Sequence, residues 1–322
     1  MQTNRFGNTG FETSRLGIGL AEVGYELSLK DQKQASAVIH SALDQGINFL
    51  DTAACYDLSE ELIGNGVADR RDEFFLATKA GHITGESKGN EWTYDTVIES
   101  IDRSLIRLKT NHVDLVQLHS CEIDILEQGE VIKALEEARD AGKTRFIGYS
   151  GDNEAAHWAV ESGIFATLQT SYNLVEQRAR TSGLLEKATA AGMGTIIKRP
   201  IAGGSWAKSR NDQSKPSVRG YDEPYLERAN AMRSLGNIQN EPEDGILTSL
   251  GYTLADPNVN VAIVGTKSPS HMETNIKQVE NDLPISSDVV NELNRRFEKL
   301  DTDWEQRTYC LLYTSPSPRD RG

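Results

Sequence analysis

Residues that can hold or move protons recur in this sequence at one kind of place, the downstream end of a short apolar run. INFL runs into Asp51, FFLAT into Lys79 and LVQL into His119, while Tyr56 follows Asp51 by five residues. In the same way RFIGY ends on Ser150, TIIK runs into Arg199 and AIVG leads to Thr266. Any one of these alone is no more than an even bet against a solvated loop charge. A succession of them at the ends of buried runs is not what a purely structural pattern gives. An aspartate and a lysine on adjacent strands can pair at roughly 3 Å, which keeps both charged when partly buried. An ammonium beside the Tyr56 phenol would favour phenolate and lower its pKa from about 10. That tunes the phenol as a general acid near neutral pH. His119, one strand further on, can hydrogen-bond and orient the same substrate oxygen. A positioned acid without a nucleophilic triad suits proton delivery to a carbonyl oxygen, with hydride supplied by a nicotinamide cofactor because no side chain carries that chemistry.

The elements that would position these residues repeat. Short runs rich in β-branched residues are expected as strands at Leu16–Gly19, Ile47–Asp51, Phe74–Lys79, Leu115–His119, Arg145–Ser150, Ala166–Tyr172, Thr195–Pro200 and Val261–Thr266. Between them lie helical patterns: one from an Asp31 N-cap to Asp44, one opening at Thr93 or Asp95 with Val97, Ile101, Leu105 and Leu108 on one face, and others at 124–140, 153–162, 182–191 and 243–255. A further helix begins about Pro269, and 286–300 forms an extra terminal one. Residues 207–225 are rich in Pro, Gly and Ser and are expected as a long loop. Eight strand–helix units without a linker predict one (β/α)8 TIM barrel, in which strand C-termini converge on one face. Asn4–Gly7 predicts a hairpin turn ahead of it. An open doubly wound sheet is the competing architecture, but Gly17 and Gly19 give only part of a GxGxxG opening.

Composition narrows the partners. The 322 residues carry a formal charge of −14, which argues against nucleic acid because phosphate neutralisation needs a basic face. No apolar run approaches the roughly 20 residues of a membrane span, and the polar Met1–Gly10 lacks a signal-peptide core. Three cysteines, Cys55, Cys121 and Cys310, make no CxxC pair and no disulfide framework, which fits a reduced cytoplasmic setting. The histidines show no HExxH spacing, so no metal site is expected. From Cys310 the chain reads CLLYTSPSPRDRG, with no period continuing the helix before it. It resembles a translated adapter read-through, against a disordered Ser/Pro tail as the other reading. The expected division is therefore a barrel domain at 1–309 and a non-native tail at 310–322, with the natural C-terminus missing.

GINFLDTAACY followed by SEELIG resembles the signature of aldo-keto reductases, as do SIDRSLIRLKTNHVDLVQLH, KTRFIGYS, QTSYN and GTKSPSHMETN. The resemblance implies a (β/α)8 barrel binding NADPH, with NADH as the alternative, across its C-terminal face and reducing an aldehyde or ketone. It implies Tyr56 as proton donor, Asp51 and Lys79 as its tuning pair, and His119 as substrate orienter. It further implies Ser150 and Gln169 at the nicotinamide carboxamide, and the segment from Arg199 through Pro200 and Gly203 to Gly204 along the pyrophosphate. Gly265, Thr266 and Lys267 would lie near the adenosine phosphate and Asn275 at the adenine. Three positions depart from the family: Lys198 replaces the residue stacked on the nicotinamide, Gly151 an asparagine, and His271 an arginine for the 2′-phosphate. The last makes the preference for NADPH a modest one. A regulatory, cofactor-sensing subunit is the alternative function, and the intact quartet favours the enzyme. Tyr172 is balanced between core packing and a cofactor role, and Trp92 and Trp206 between substrate contact and lid packing. Cys55 and Cys121 are expected as small apolar fillers; His112 and His157 as solvated or capping residues.

Overall fold

The computed structural model describes residues 1–85, 87, 89–210, 223–302 and 304. Two short strands, β1 (Thr3–Arg5) and β2 (Glu12–Ser14), form an antiparallel hairpin with Arg5 opposite Glu12. Its turn therefore spans 6–11, later than the Asn4–Gly7 expected, because Asn4 pairs with Thr13 within the ladder. Eight strands follow: β3 (Leu16–Gly19), β4 (Phe49–Asp51), β5 (Phe75–Ala80), β6 (Val113–His119), β7 (Thr144–Ser150), β8 (Thr167–Ser171), β9 (Gly194–Lys198) and β10 (Val261–Gly265). They pair in parallel and in chain order, and β10 returns to β3 to close the barrel. The eight-stranded parallel barrel with its helical ring is the expected (β/α)8 fold, with the hairpin before it and the extra helix Ser287–Leu300 behind it.

The strands are near-continuous apolar runs because a parallel sheet covered by helices is buried on both faces. Outside, Val97, Ile101 and Leu108 of the helix Tyr94–Leu108 turn inward onto the barrel while Ile106 is exposed, as a 3.6-residue period requires. The stretch expected as one helix at 124–140 is two, Ile123–Gln128 and Glu130–Asp140, broken at Gly129. Most of the loop expected at 207–225, like the tail from Cys310, lies outside the described residues; at the edges of that loop Ser205–Lys208 and Glu223–Arg233 are helical.

The end of the barrel where the strands begin is closed by aromatics. Phe6, from the hairpin turn, meets Phe49 and Phe75 edge-on at 5.4 Å each, and those two stack at 5.3 Å. Phe11 and Phe146 pack against the same cluster, which Leu115, Ile196 and Ile263 complete. The turn reaches this depth because Gly7, at φ +51°, brings its backbone onto β9: a Cβ there would sit 2.3 Å from the Gly194 nitrogen. Among the described residues no helix is long and apolar enough to cross a membrane.

Candidate active site

At the other end of the barrel the strand termini carry polar side chains. Asp51 closes β4 and Lys79 is the penultimate residue of β5; both are buried, with Nζ 2.6 Å from Asp51 Oδ1. A second bond from Nζ to the Thr52 carbonyl, 2.8 Å, occupies another ammonium proton. Gln117, which lies beside Lys79 in the sheet register, reaches toward the second Asp51 oxygen at 3.5 Å. A buried ion pair repays its desolvation only when such additional bonds satisfy it.

Tyr56 sits in the turn after β4. That turn is pinned at both ends, by Thr52 N to Ala77 O and Ala54 N to Lys79 O on one side and by Ser59 Oγ to Leu20 O on the other. Gly24 lets the preceding loop close on it, since a Cβ there would lie 2.0 Å from the Tyr56 carbonyl oxygen. The ring is thereby held with Lys79 Nζ 4.9 Å from its centroid and with His119 edge-on at 5.7 Å. The four residues that the sequence nominated from separate runs converge on one spot.

His119 ends β6 fully enclosed. Burial, then the charges of Lys79, His82, Lys198 and Arg199, hold its imidazole well below the ordinary histidine value, so it is neutral at neutral pH. Cys55 Sγ lies 3.3 Å from His119 Nδ1. With the thiol donating, the neutral ring keeps its own proton on Nε2, where it can be given in a hydrogen bond. Cys55 thus touches the site rather than filling space. Cys121 does the opposite: it is buried in the apolar core, and burial pushes its thiol up to about 12.

Beyond His119 the row continues through directly paired residues, His119 beside Ser150 and Ser150 beside Gln169. Gln169 Oε1 accepts from Gln117 at 3.3 Å, which ties this row to the Asp51–Lys79 pair. Ser150 Oγ and Gln169 Nε2 are buried and have no hydrogen-bond partner among the described residues. Leaving such groups unmade costs about 1–3 kcal/mol each, so they are expected to meet a ligand. A primary carboxamide supplies what they lack, an oxygen to accept from Gln169 and an NH2 to donate to Ser150. The nicotinamide ring of the expected cofactor carries that group, and the residues fit it.

Lys198, the departure noted at the end of β9, is held by Asp152 at 3.1 Å. Burial would push the Asp152 carboxyl up; the charges of Lys198 and Arg199, the Ser171 amide and the Thr170 hydroxyl outweigh it and keep the group below the usual carboxylate range. Arg199 adopts φ +60°, and the chain turns through Pro200 to Gly203 at φ +64°. At the end of β10, Gly265 is exposed; just after it Thr266 is buried, and Lys267 projects at the rim with its Nζ 2.6 Å from Glu26. Ser268 caps the helix Pro269–Asn281, on which His271 is exposed and Asn275 buried.

Next to this row opens a cavity of about 900 Å³, whose lining includes Trp92, Ser120, Asp152, Glu122 and Asp124. His82 joins it to the quartet, since its ring stands against both His119, at 5.1 Å, and Trp92, at 4.7 Å. Trp92 thus faces the cavity, whereas Trp206 is buried on Arg233 with its indole donating to Glu241. Tyr172 is likewise core, packed on Tyr252. His112 bonds its neighbour Asn111 and His157 meets Ser182.

Gln117, Cys55, Asp152 and His82 were not nominated from the sequence. Gln117 carried a usable signal, because alternation along β6 puts 117 on the same face as 119.

Residues 15–296 match the aldo/keto reductase family. An uncharacterised oxidoreductase of Bacillus subtilis is 30% identical, over 86% of this chain and 90% of its own. The L-galactose dehydrogenase of Arabidopsis thaliana is 28% identical, over 87% of this chain and 88% of its own. Among solved structures, an aldo-keto reductase of Bacillus halodurans in its holo form superposes with a TM-score of 0.74 at 24% identity, covering 92% of this chain and 96% of its own, which establishes likeness of fold.

Proposed function

The chain belongs to the aldo/keto reductase family of oxidoreductases, and on that premise we propose an NADPH-using reductase of aldehydes and ketones in which Tyr56 delivers the proton. One observation carries the reading: Lys79 lies against both Asp51, at 2.6 Å, and the Tyr56 ring, at 4.9 Å, with neutral His119 edge-on to that ring at 5.7 Å. The nicotinamide cofactor, when bound, supplies hydride to the carbonyl carbon. The rest is done by the chain. Ser150 and Gln169 would hold its carboxamide. His119 gives its Nε2 proton in a hydrogen bond to the carbonyl oxygen and orients it. Tyr56 Oη transfers its proton to that oxygen as charge develops there. Lys79, anchored by Asp51 and the Thr52 carbonyl, keeps a positive charge beside the phenol as the proton leaves. Arg199, Pro200 and Gly203 would run along the pyrophosphate, with Lys198 beside them held by Asp152. Gly265, Thr266, Lys267, His271 and Asn275 would receive the adenosine end, where the helix N-terminus and Lys267 suit a 2′-phosphate.

The cavity bears on the substrate. Glu91, Glu122, Asp124 and Glu154 are exposed along its lining, so a phosphorylated carbonyl would meet like charge there. Carboxylates accept well from hydroxyls, which favours a neutral, polyhydroxylated carbonyl, and L-galactose dehydrogenase is named for a sugar of that kind. The test is a panel of neutral and phosphorylated aldehydes and ketones, each assayed with NADPH and with NADH. The expected outcome is turnover on neutral polyol carbonyls with a preference for NADPH of about tenfold, roughly 1.4 kcal/mol. Cofactor binding without turnover on any carbonyl would overturn the reductase and leave a cofactor-sensing subunit.

A further inference from the structure

Lys267 is the cation best placed for a 2′-phosphate, and it is engaged. Its ammonium lies 2.6 Å from Glu26 Oε2, an ion pair that joins the loop after β3 to the loop after β10 across the rim of the barrel. The main chain of Lys267 is fixed as well, its carbonyl accepting from Gln34 Nε2 at 2.8 Å. Glu26 is the last residue of the helix Ala21–Glu26, where a carboxylate gains nothing from the helix dipole. Lys267 gives it a favourable contact there. Both side chains are partly exposed, 47% for Lys267 and 33% for Glu26, so the pair is open to an incoming anion rather than sealed beneath the fold.

We propose that Glu26 is a specificity-determining residue that limits the chain's preference for NADPH by competing with the 2′-phosphate for Lys267. The proposal rests on the cofactor reading above. A phosphate monoester carries about −1.5 to −2 charges at neutral pH. To be held by Lys267 it must share the ammonium with a carboxylate already in hydrogen-bond contact, or displace it. Either route weakens binding by like-charge repulsion or by loss of the pair. NADH meets no such penalty: its ribose 2′-hydroxyl is neutral and can donate to a carboxylate. The same residue therefore lowers affinity for one cofactor while leaving or aiding the other, which is how discrimination is built from a repulsive element. Nearby, the Ser268 and Ser270 hydroxyls, bonded to each other at 2.9 Å, and the exposed His271 supply hydrogen-bond donors.

The experiment is direct titration of both cofactors, by their fluorescence, into the wild-type protein, Glu26→Gln and Lys267→Met, with melting curves to confirm that each is folded. The dissociation constant of NADPH should fall about tenfold in Glu26→Gln, equivalent to roughly 1.4 kcal/mol, while that of NADH stays within about twofold. In Lys267→Met the NADPH constant should rise, and adding Glu26→Gln to it should recover little, because the competition needs the lysine. If Lys267→Met weakens NADPH selectively but Glu26→Gln changes neither cofactor, or both equally, the competition is disproved and the cofactor reading stands. If Lys267→Met changes neither constant, the phosphate is not read at Lys267, and both the placement and the proposal fall.

Discussion

Where the strands begin, the rings of Phe6, Phe11, Phe49, Phe75 and Phe146 pack together in one apolar cluster. Where they finish, Asp51, Lys79, Gln117, His119, Ser150 and Gln169 form a row whose members are buried but hydrogen-bonded, paired or waiting for a ligand. The same strands serve both ends: β4 runs from Phe49 to Asp51 and β5 from Phe75 to Lys79 and Ala80. The contrast shows how one sheet can be stable and reactive together. Apolar burial at the entrance end fixes the strands' spacing, and the desolvated charges at the exit end inherit that spacing without having to create it. Changes at the two ends should therefore separate, one altering stability and the other chemistry.

The largest separation is expected from Phe75→Ala. Removing a ring that contacts Phe6, Phe11, Phe49 and Phe146 should cost about 3–5 kcal/mol of folding free energy. Denaturant unfolding measures that loss, and the turnover number of the protein that remains folded should be unchanged. A large fall in turnover at full stability would mean that the floor sets the geometry of the mouth residue by residue, and the division would fail.

Tyr56→Phe is the mirror experiment. If Tyr56 delivers the proton as proposed, its removal should lower kcat for carbonyl reduction by at least about a hundredfold, close to 2.7 kcal/mol of barrier. The melting temperature and the dissociation constant of the cofactor should hardly move, because the ring packing against Tyr25 and His119 is kept. Purified Tyr56→Phe that keeps most of its turnover would remove Tyr56 from the role of acid.

The sequence disclosed the mouth better than the floor. Asp51, Lys79, His119 and Ser150 stood out because a polar or ionisable side chain at the end of a β-branched run is costly to bury unless it is used, and the parallel topology brings successive run ends together. The phenylalanine plug gave no such sign. Phe49 and Phe75 are ordinary strand residues, and Phe6 belongs to a turn whose depth depends on Gly7 meeting Gly194 far along the chain. Within the mouth, the missed residues apart from Gln117 of β6 are those placed by loops. Cys55 reaches His119 because its turn is tied to β5 and to the segment after β3, and Asp152, just past β7, meets Lys198 at the end of β9. Glu26 and Lys267 are 241 positions apart, and no local pattern couples them. The helix expected at 124–140 failed for a local reason, a glycine in the left-handed region at 129 that the apolar period could not reveal.

The smallest expected effect tests whether the mouth acts as one electrostatic unit. After burial, the charge of Lys79 is the leading cause that keeps His119 below its ordinary pKa. Replacing Lys79 alone would leave Asp51 as an uncompensated buried carboxylate, a destabilising change that would confuse the comparison. The double variant Lys79→Met with Asp51→Asn removes both charges and avoids it. In that protein the His119 imidazole should titrate at higher pH than in the wild type, because one repelling cation is gone while its burial is the same. The sign for stability follows. A histidine whose folded pKa is depressed adds stability that is present above its unfolded pKa and is lost as pH falls from there toward the folded value. Raising the folded value in the double variant should therefore end this loss at a higher pH and make it smaller in total, although it begins below about pH 6.5 as before. Imidazole resonances followed by NMR across that range, alongside melting temperatures at each pH, provide the two readouts. An unmoved His119 midpoint would mean that the charge of Lys79 is not felt there, and that these two mouth residues are tuned separately.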